Sequence, residues 1–190
     1  MKKSFCIIAA IAFLAIFVGC ATLSKNECLQ ADWLELGRKD GSLGQPRSLF
    51  QNHYEACLDH NVNADSEAYY SGREEGLKSY CTEQSGFEQG SAGNSYKHVC
   101  PAALEPDFLA GYEKGRELYK YESRISSLES HLRSIENQIE TKEKQLYSVN
   151  VSDEKRAEIR SDLKYLDLKY RDVMHELKYL EKSKPAVHTE

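Results

Sequence analysis

Six cysteines and six histidines are the residues of this chain best suited to metal binding or nucleophilic chemistry. The histidines are His53, His60, His98, His131, His175 and His188, and none stands in a His-Glu-x-x-His arrangement or at ligand spacing from another. Cys57, Asp59 and His60 in "CLDH" have the residue types of a thiol with an adjacent base. That chemistry needs a free thiol, and a disulfide at Cys57 would abolish it. Cys28, Cys57, Cys81 and Cys100 form an even set with no Cys-x-x-Cys pair, which in an oxidising compartment reads as two disulfides with three connectivities open. No Gly-x-Ser-x-Gly elbow or phosphate loop is present, and acidic pairs such as Glu74 and Glu75 read as a solvated helix face. The expectation is a protein that is not an enzyme, with no metal and no cofactor.

Cys20 belongs to different chemistry. "MKKSFCIIAAIAFLAIFVGC" begins with Lys2 and Lys3, continues apolar from Phe5 to Val18, and ends Gly19-Cys20, the layout of an export signal. Phe17-Val18-Gly19-Cys20 resembles the lipobox of bacterial lipoproteins, with Phe17 where leucine is usual. The resemblance implies cleavage before Cys20 and acylation, palmitate included, of a cysteine that becomes the N-terminus. The competing reading is an uncleaved anchor, since apolar character extends from Phe5 to Leu23, close to the roughly 20 residues a span needs. Several acyl chains would hold the protein on a bilayer effectively for good. Ala21 follows Cys20, not the aspartate that resembles an inner-membrane retention signal, so the expected location is the outer membrane, facing the periplasm.

Without Lys2 and Lys3 the 25 basic residues fall to 23 against 30 acidic, a net charge near −7. Such a surface, lacking a basic stripe, does not predict a nucleic-acid partner. The elements that must position the cysteines are helical. Tyr69, Gly72, Gly76 and Tyr80 share their spacing with Phe108, Gly111, Gly115 and Tyr119. Leu34, Gly37 and Gly41, beside Trp33, form a third copy, and Phe87, Gly90 and Asn94 a degraded fourth. Steps of three and four place each set on one helical face. A glycine inside a helix costs roughly 1 kcal/mol relative to alanine, so the repeated glycines require a compensating close approach. Gly41 and Gly76 could instead end helices. If Cys28 starts one helix and Cys57 ends the next, an antiparallel pair favours Cys28–Cys57 and Cys81–Cys100.

The combination of lipobox, Trp33 with Gly37 and Gly41, "YYSGREEGLKSYC", "GFEQGSAGNSYKHVCP" and "FLAGYEKG" resembles a family of small bacterial lipoproteins classed as a domain of unknown function, over roughly residues 20–120. The resemblance implies an envelope location and no reaction or ligand.

From residue 116 the glycines and cysteines cease. Leu118, Tyr121, Ile125, Leu128, Leu132, Ile135, Ile139, Lys142 and Leu146 follow heptad spacing, and the pattern resumes at Ile159, Leu163, Leu166, Tyr170, Val173, Leu177 and Leu180. Pairs such as Ile135 with Tyr170 and Leu128 with Leu177 sum to 305, which fits an antiparallel hairpin turning between Ser152, a plausible N-cap, and Asp153. The rival is a parallel coil between molecules. Tyr165, Leu168 and Tyr179 fall at c and f positions, away from the seam, where aromatic residues suit a partner, a second copy or the first domain.

The expected architecture is all-α: signal peptide 1–19, a disulfide-stapled multi-helix domain 20–115, an antiparallel coiled-coil hairpin 116–182 and a disordered tail 183–190. The expected function is a non-catalytic lipoprotein held on the membrane by Cys20, contacting an envelope protein or itself. The alternative is a periplasmic binder of a small ligand or cell-wall fragment, with Tyr69, Tyr80, Tyr112 and Tyr119 lining a groove.

Overall fold

The computed structural model describes residues 22–184, and the leader, Cys20 and the last six residues lie outside them. Seven helices and no strand occur among the described residues. None of these helices is long and apolar enough to cross a membrane. The chain divides into two compact units after Gly76. Composition changes elsewhere, at 115–116, because the packing units and the distribution of glycine and cysteine are different properties of the chain.

The first unit contains α1 (Lys25–Leu29), α2 (Trp33–Ser42), α3 (Leu49–Leu58) and the start of α4 (Ser66–Tyr80). Ser24 and Glu27 close a capping box on α1, and the Asp32 carboxylate accepts from the Glu35 amide at 3.0 Å to start α2. Leu23, Cys28, Trp33, Phe50, Cys57 and Tyr69 form the core. Trp33 meets Phe50 edge-on with centroids 6.4 Å apart, and Phe50 lies 4.9 Å from Tyr69. Cys28 and Cys57 are bonded.

The second unit contains the end of α4, α5 (Glu83–Ser91), α6 (Glu105–Leu146) and α7 (Asp153–Lys182). Leu77, Cys81, Cys100 and Phe108 form one core, with Cys81 bonded to Cys100. The favoured connectivity is the one present, but Cys28 lies near the end of α1 and Cys57 near the end of α3, with α2 between them, not at the start and end of successive helices. Leu128, Leu132, Ile135, Leu166, Val173 and Leu177 form another core, between α6 and α7.

Helices α6 and α7 pack antiparallel, and the Ser152 hydroxyl caps α7 by accepting from the Lys155 amide. The turn is displaced from its expected position: α6 ends at Leu146 and α7 begins at Asp153, which centres it near 149 to 150. The cross-helix ion pairs Arg124–Glu176 and Lys142–Asp162 sum to 300 and 304, both short of 305. A slide of one heptad leaves every a position opposite a d position, so periodicity does not fix this register. The connection does. Arg156 donates to the carbonyls of Leu146 and Ser148, closing the end of α6 from across the turn. Lys142, the polar break in the seam, carries its ammonium out to Asp162.

Candidate functional site

The glycine faces bring backbone against backbone in both units. In the first, α2 crosses α4: a β-carbon on Gly37 would lie 1.9 Å from the Tyr69 carbonyl oxygen, and one on Gly76 would lie 2.0 Å from that of Arg38. In the second, α5 crosses α6: a β-carbon on Gly86 would lie 2.0 Å from the Phe108 oxygen, and one on Gly111 would lie 1.8 Å from that of Glu83. In each case the hydrogen that replaces a side chain points at a carbonyl, a Cα–H···O contact. The fourth copy differs from the expected Phe87, Gly90 and Asn94. Gly86 and Gly90 form the contact in α5, whereas Asn94 lies beyond the helix. The spacing was obscured because Glu83 occupies the place where the other copies have Leu34, Tyr69 and Phe108.

Both crossings end alike. Gly44 and Gly93, with φ of 60° and 76°, take the left-handed conformation just past α2 and α5. The next carbonyl then receives a side chain from the crossing helix. An Arg73 guanidinium nitrogen donates to Gln45 O at 2.8 Å, and the Tyr112 hydroxyl donates to Asn94 O at 2.8 Å. Gly41 and Gly76 lie inside their helices and do not cap them.

The buried polar groups of the first unit converge on Asp40, which is 6% exposed. Its Oδ2 accepts the Tyr69 hydroxyl at 2.7 Å and lies 3.0 Å from His53 Nε2, while His53 Nδ1 lies 2.8 Å from Thr22 Oγ1. A carboxylate only accepts, so Nε2 carries the hydrogen toward Asp40, and a neutral ring then accepts the Thr22 hydroxyl at Nδ1. Burial, with the bond to Asp40 adding to it, pushes the Tyr69 hydroxyl well above the usual phenol range. Arg73, also buried, is lowered chiefly by desolvation, and its Nε has no hydrogen-bond partner. The network escaped sequence reasoning. Its signal was there, because Asp40 shares a helical face with Trp33, Gly37 and Gly41, and a carboxylate on a glycine face must find donors.

Hydroxyl, imidazole and carboxylate in series have the connectivity of a nucleophile, base and orienting group. Here Asp40 is shared with Tyr69, and neither of the two open grooves described below is lined by Thr22, His53 or Asp40. What the contacts do is fasten Thr22, at the start of the described chain, to α2, α3 and α4. Among the described residues no group of three His, Cys, Asp or Glu side chains is placed to hold a metal.

Of the four tyrosines expected to line a groove, Tyr69, Tyr80 and Tyr112 pack against other rings, and Tyr119 borders a groove. Tyr69 is fully buried. Tyr80 and Tyr112 stack on Phe108, with centroids at 5.2 and 6.0 Å. Tyr119 covers Gly93 and borders an open groove of about 830 Å³ along α6 with Ser123, Ser126, Ser130, His131 and Ser134. A second groove of about 580 Å³ continues past Asn137 to Thr141. Tyr165, Leu168 and Tyr179 are exposed on α7, by 59%, 47% and 67%. Cys57 is bonded, so "CLDH" contains no free thiol.

The chain matches no curated protein and no solved structure. Residues 32–117, from the start of α2 to the part of α6 just past Gly115, are a domain matching the model of a family described as a protein of unknown function, DUF2799.

Proposed function

We propose that this protein is a lipid-anchored, non-catalytic component of the bacterial cell envelope. Cys20, lipidated, holds it to the periplasmic side of the outer membrane, and its α6–α7 coiled coil contacts an envelope protein or a second copy. The observation that supports this reading most is the pair of disulfides in a chain that opens with Lys2, Lys3, an apolar run and Gly19-Cys20. The exposed Tyr165, Leu168 and Tyr179 give the hairpin an aromatic and aliphatic face suited to recognition.

Two measurements test it. Cys20→Ala is expected to move the protein out of the membrane fraction and to remove the acyl mass, and unchanged fractionation and mass would discard the anchor. A photoreactive residue in place of Leu168 is expected to capture one defined envelope protein or a second copy in intact cells. Absence of any adduct would discard the hairpin as the contact surface.

A further inference from the structure

The folded domain begins almost at the proposed anchor. Thr22 is already bonded through its hydroxyl to His53 at 2.8 Å, Leu23 is in the core with Trp33, and Ser24 is the N-cap of α1. From Cys20 to Thr22 is two residues, which span at most about 7 Å between α-carbons. A lipoprotein that stands away from its membrane needs a flexible tether, and this sequence leaves room for Ala21 alone. Beside this end lies the Cys28–Cys57 bond, whose α-carbons are 5.3 Å apart. The residue after each bridged cysteine is an exposed leucine: Leu29 at 60% and Leu58 at 48%.

We infer that the first unit is seated directly on the lipid surface, with Leu29 and Leu58 beside the bridge set into the headgroup layer and the Thr22–His53 bond fixing the chain at its point of entry. Apolar side chains in the interfacial layer add to the hold of acyl chains. The short connection and the two exposed leucines thus belong to the unit that one disulfide closes. This rests on the reading of Cys20 as the lipidated N-terminus.

The protein carries its own probe, since Trp33 is its only tryptophan and belongs to the same core as Leu23, Cys28 and Cys57. The full lipidated chain is reconstituted into vesicles of phosphatidylethanolamine and phosphatidylglycerol containing a dansyl-headgroup lipid. Sedimentation with the vesicles and energy transfer from Trp33 are both measured. The expected result is cosedimentation with strong transfer. A variant with a Gly-Ser segment of about 12 residues between Ala21 and Thr22, which adds about 20 Å of reach, and with Leu29→Ser and Leu58→Ser, is expected to cosediment equally and lose most of the transfer. Its circular dichroism and Trp33 emission without acceptor report that the fold is kept. Cosedimentation of the unaltered chain without transfer would overturn the seating and leave the anchor standing. Failure to cosediment would overturn both. Unchanged transfer in the variant would overturn the assignment to Leu29, Leu58 and the short connection.

Discussion

Gly72 and Leu34 meet backbone to backbone: a β-carbon on Gly72 would lie 1.9 Å from the carbonyl oxygen of Leu34 and 3.0 Å from the Arg38 amide nitrogen. Neither neighbour is a flexible side chain, so Gly72→Ala must part α2 from α4. Alanine would improve helix propensity by roughly 1 kcal/mol, and overpacking of about 3 kcal/mol outweighs it, giving an expected net loss of about 2 kcal/mol. Gly111→Ala, opposed by Glu83 O, is expected to do the same to α5 and α6. Denaturant melts check both, and a neutral or stabilising alanine at either position would show that the helices do not cross so closely.

The bonds Cys28–Cys57 and Cys81–Cys100 close segments with separations of 29 and 19 residues. Loop-closure entropy predicts losses of about 3.5 and about 3 kcal/mol for the paired serine replacements, the larger for the first. Melting of each double variant under oxidising conditions tests this. Indifference to replacement of both pairs would mean that the helical cores suffice alone.

Asp40 accepts from both Tyr69 and His53 in a buried setting. Tyr69→Phe removes one donor and is expected to cost about 1 to 2 kcal/mol. Asp40→Ala strands both donors and empties part of the site, with an expected cost of about 3 kcal/mol or more. The costs of Asp40→Ala and Tyr69→Phe should be non-additive in the double variant, because the shared bond is lost once. Additive costs would contradict the bond.

The tyrosines set a limit at alkaline pH. Burial raises Tyr69 and Tyr80, and Tyr96 is pushed up to about 12, chiefly by desolvation. Tyrosines in the unfolded chain ionise near 10, so above that pH the unfolded state releases protons that the folded state retains. The stability these groups provide is complete below about pH 10 and is lost progressively as pH rises toward the folded values. Denaturation midpoints are expected to hold up to about pH 9 and fall steeply by about pH 11, with unfolding accompanied by a rise in tyrosinate absorbance. A flat profile to about pH 12 would contradict the burial.

Much of this was readable beforehand. Steps of three and four disclosed the glycine faces because helical periodicity depends only on spacing, and the a and d positions disclosed the antiparallel pairing of α6 and α7. The register was not readable, since a heptad slide changes no residue class and only the turn at 147–152 selects among the choices. The burial of Tyr69 was not readable, because an aromatic residue beside glycine looks the same in sequence whether its ring faces solvent or, as here, Phe50. The Asp40 network joins residues up to 31 apart, and no local pattern encodes such a meeting.

In the proposed arrangement a processed, lipidated Cys20 leads straight into a domain closed by two disulfides. Peptide mass analysis of membrane-purified protein without reduction tests it most directly. The predicted result is an N-terminal peptide beginning at Cys20 with acyl mass attached, together with linked peptides joining Cys28 to Cys57 and Cys81 to Cys100. An intact Met1 leader, an unmodified Cys20, or free thiols at the other four positions would contradict it.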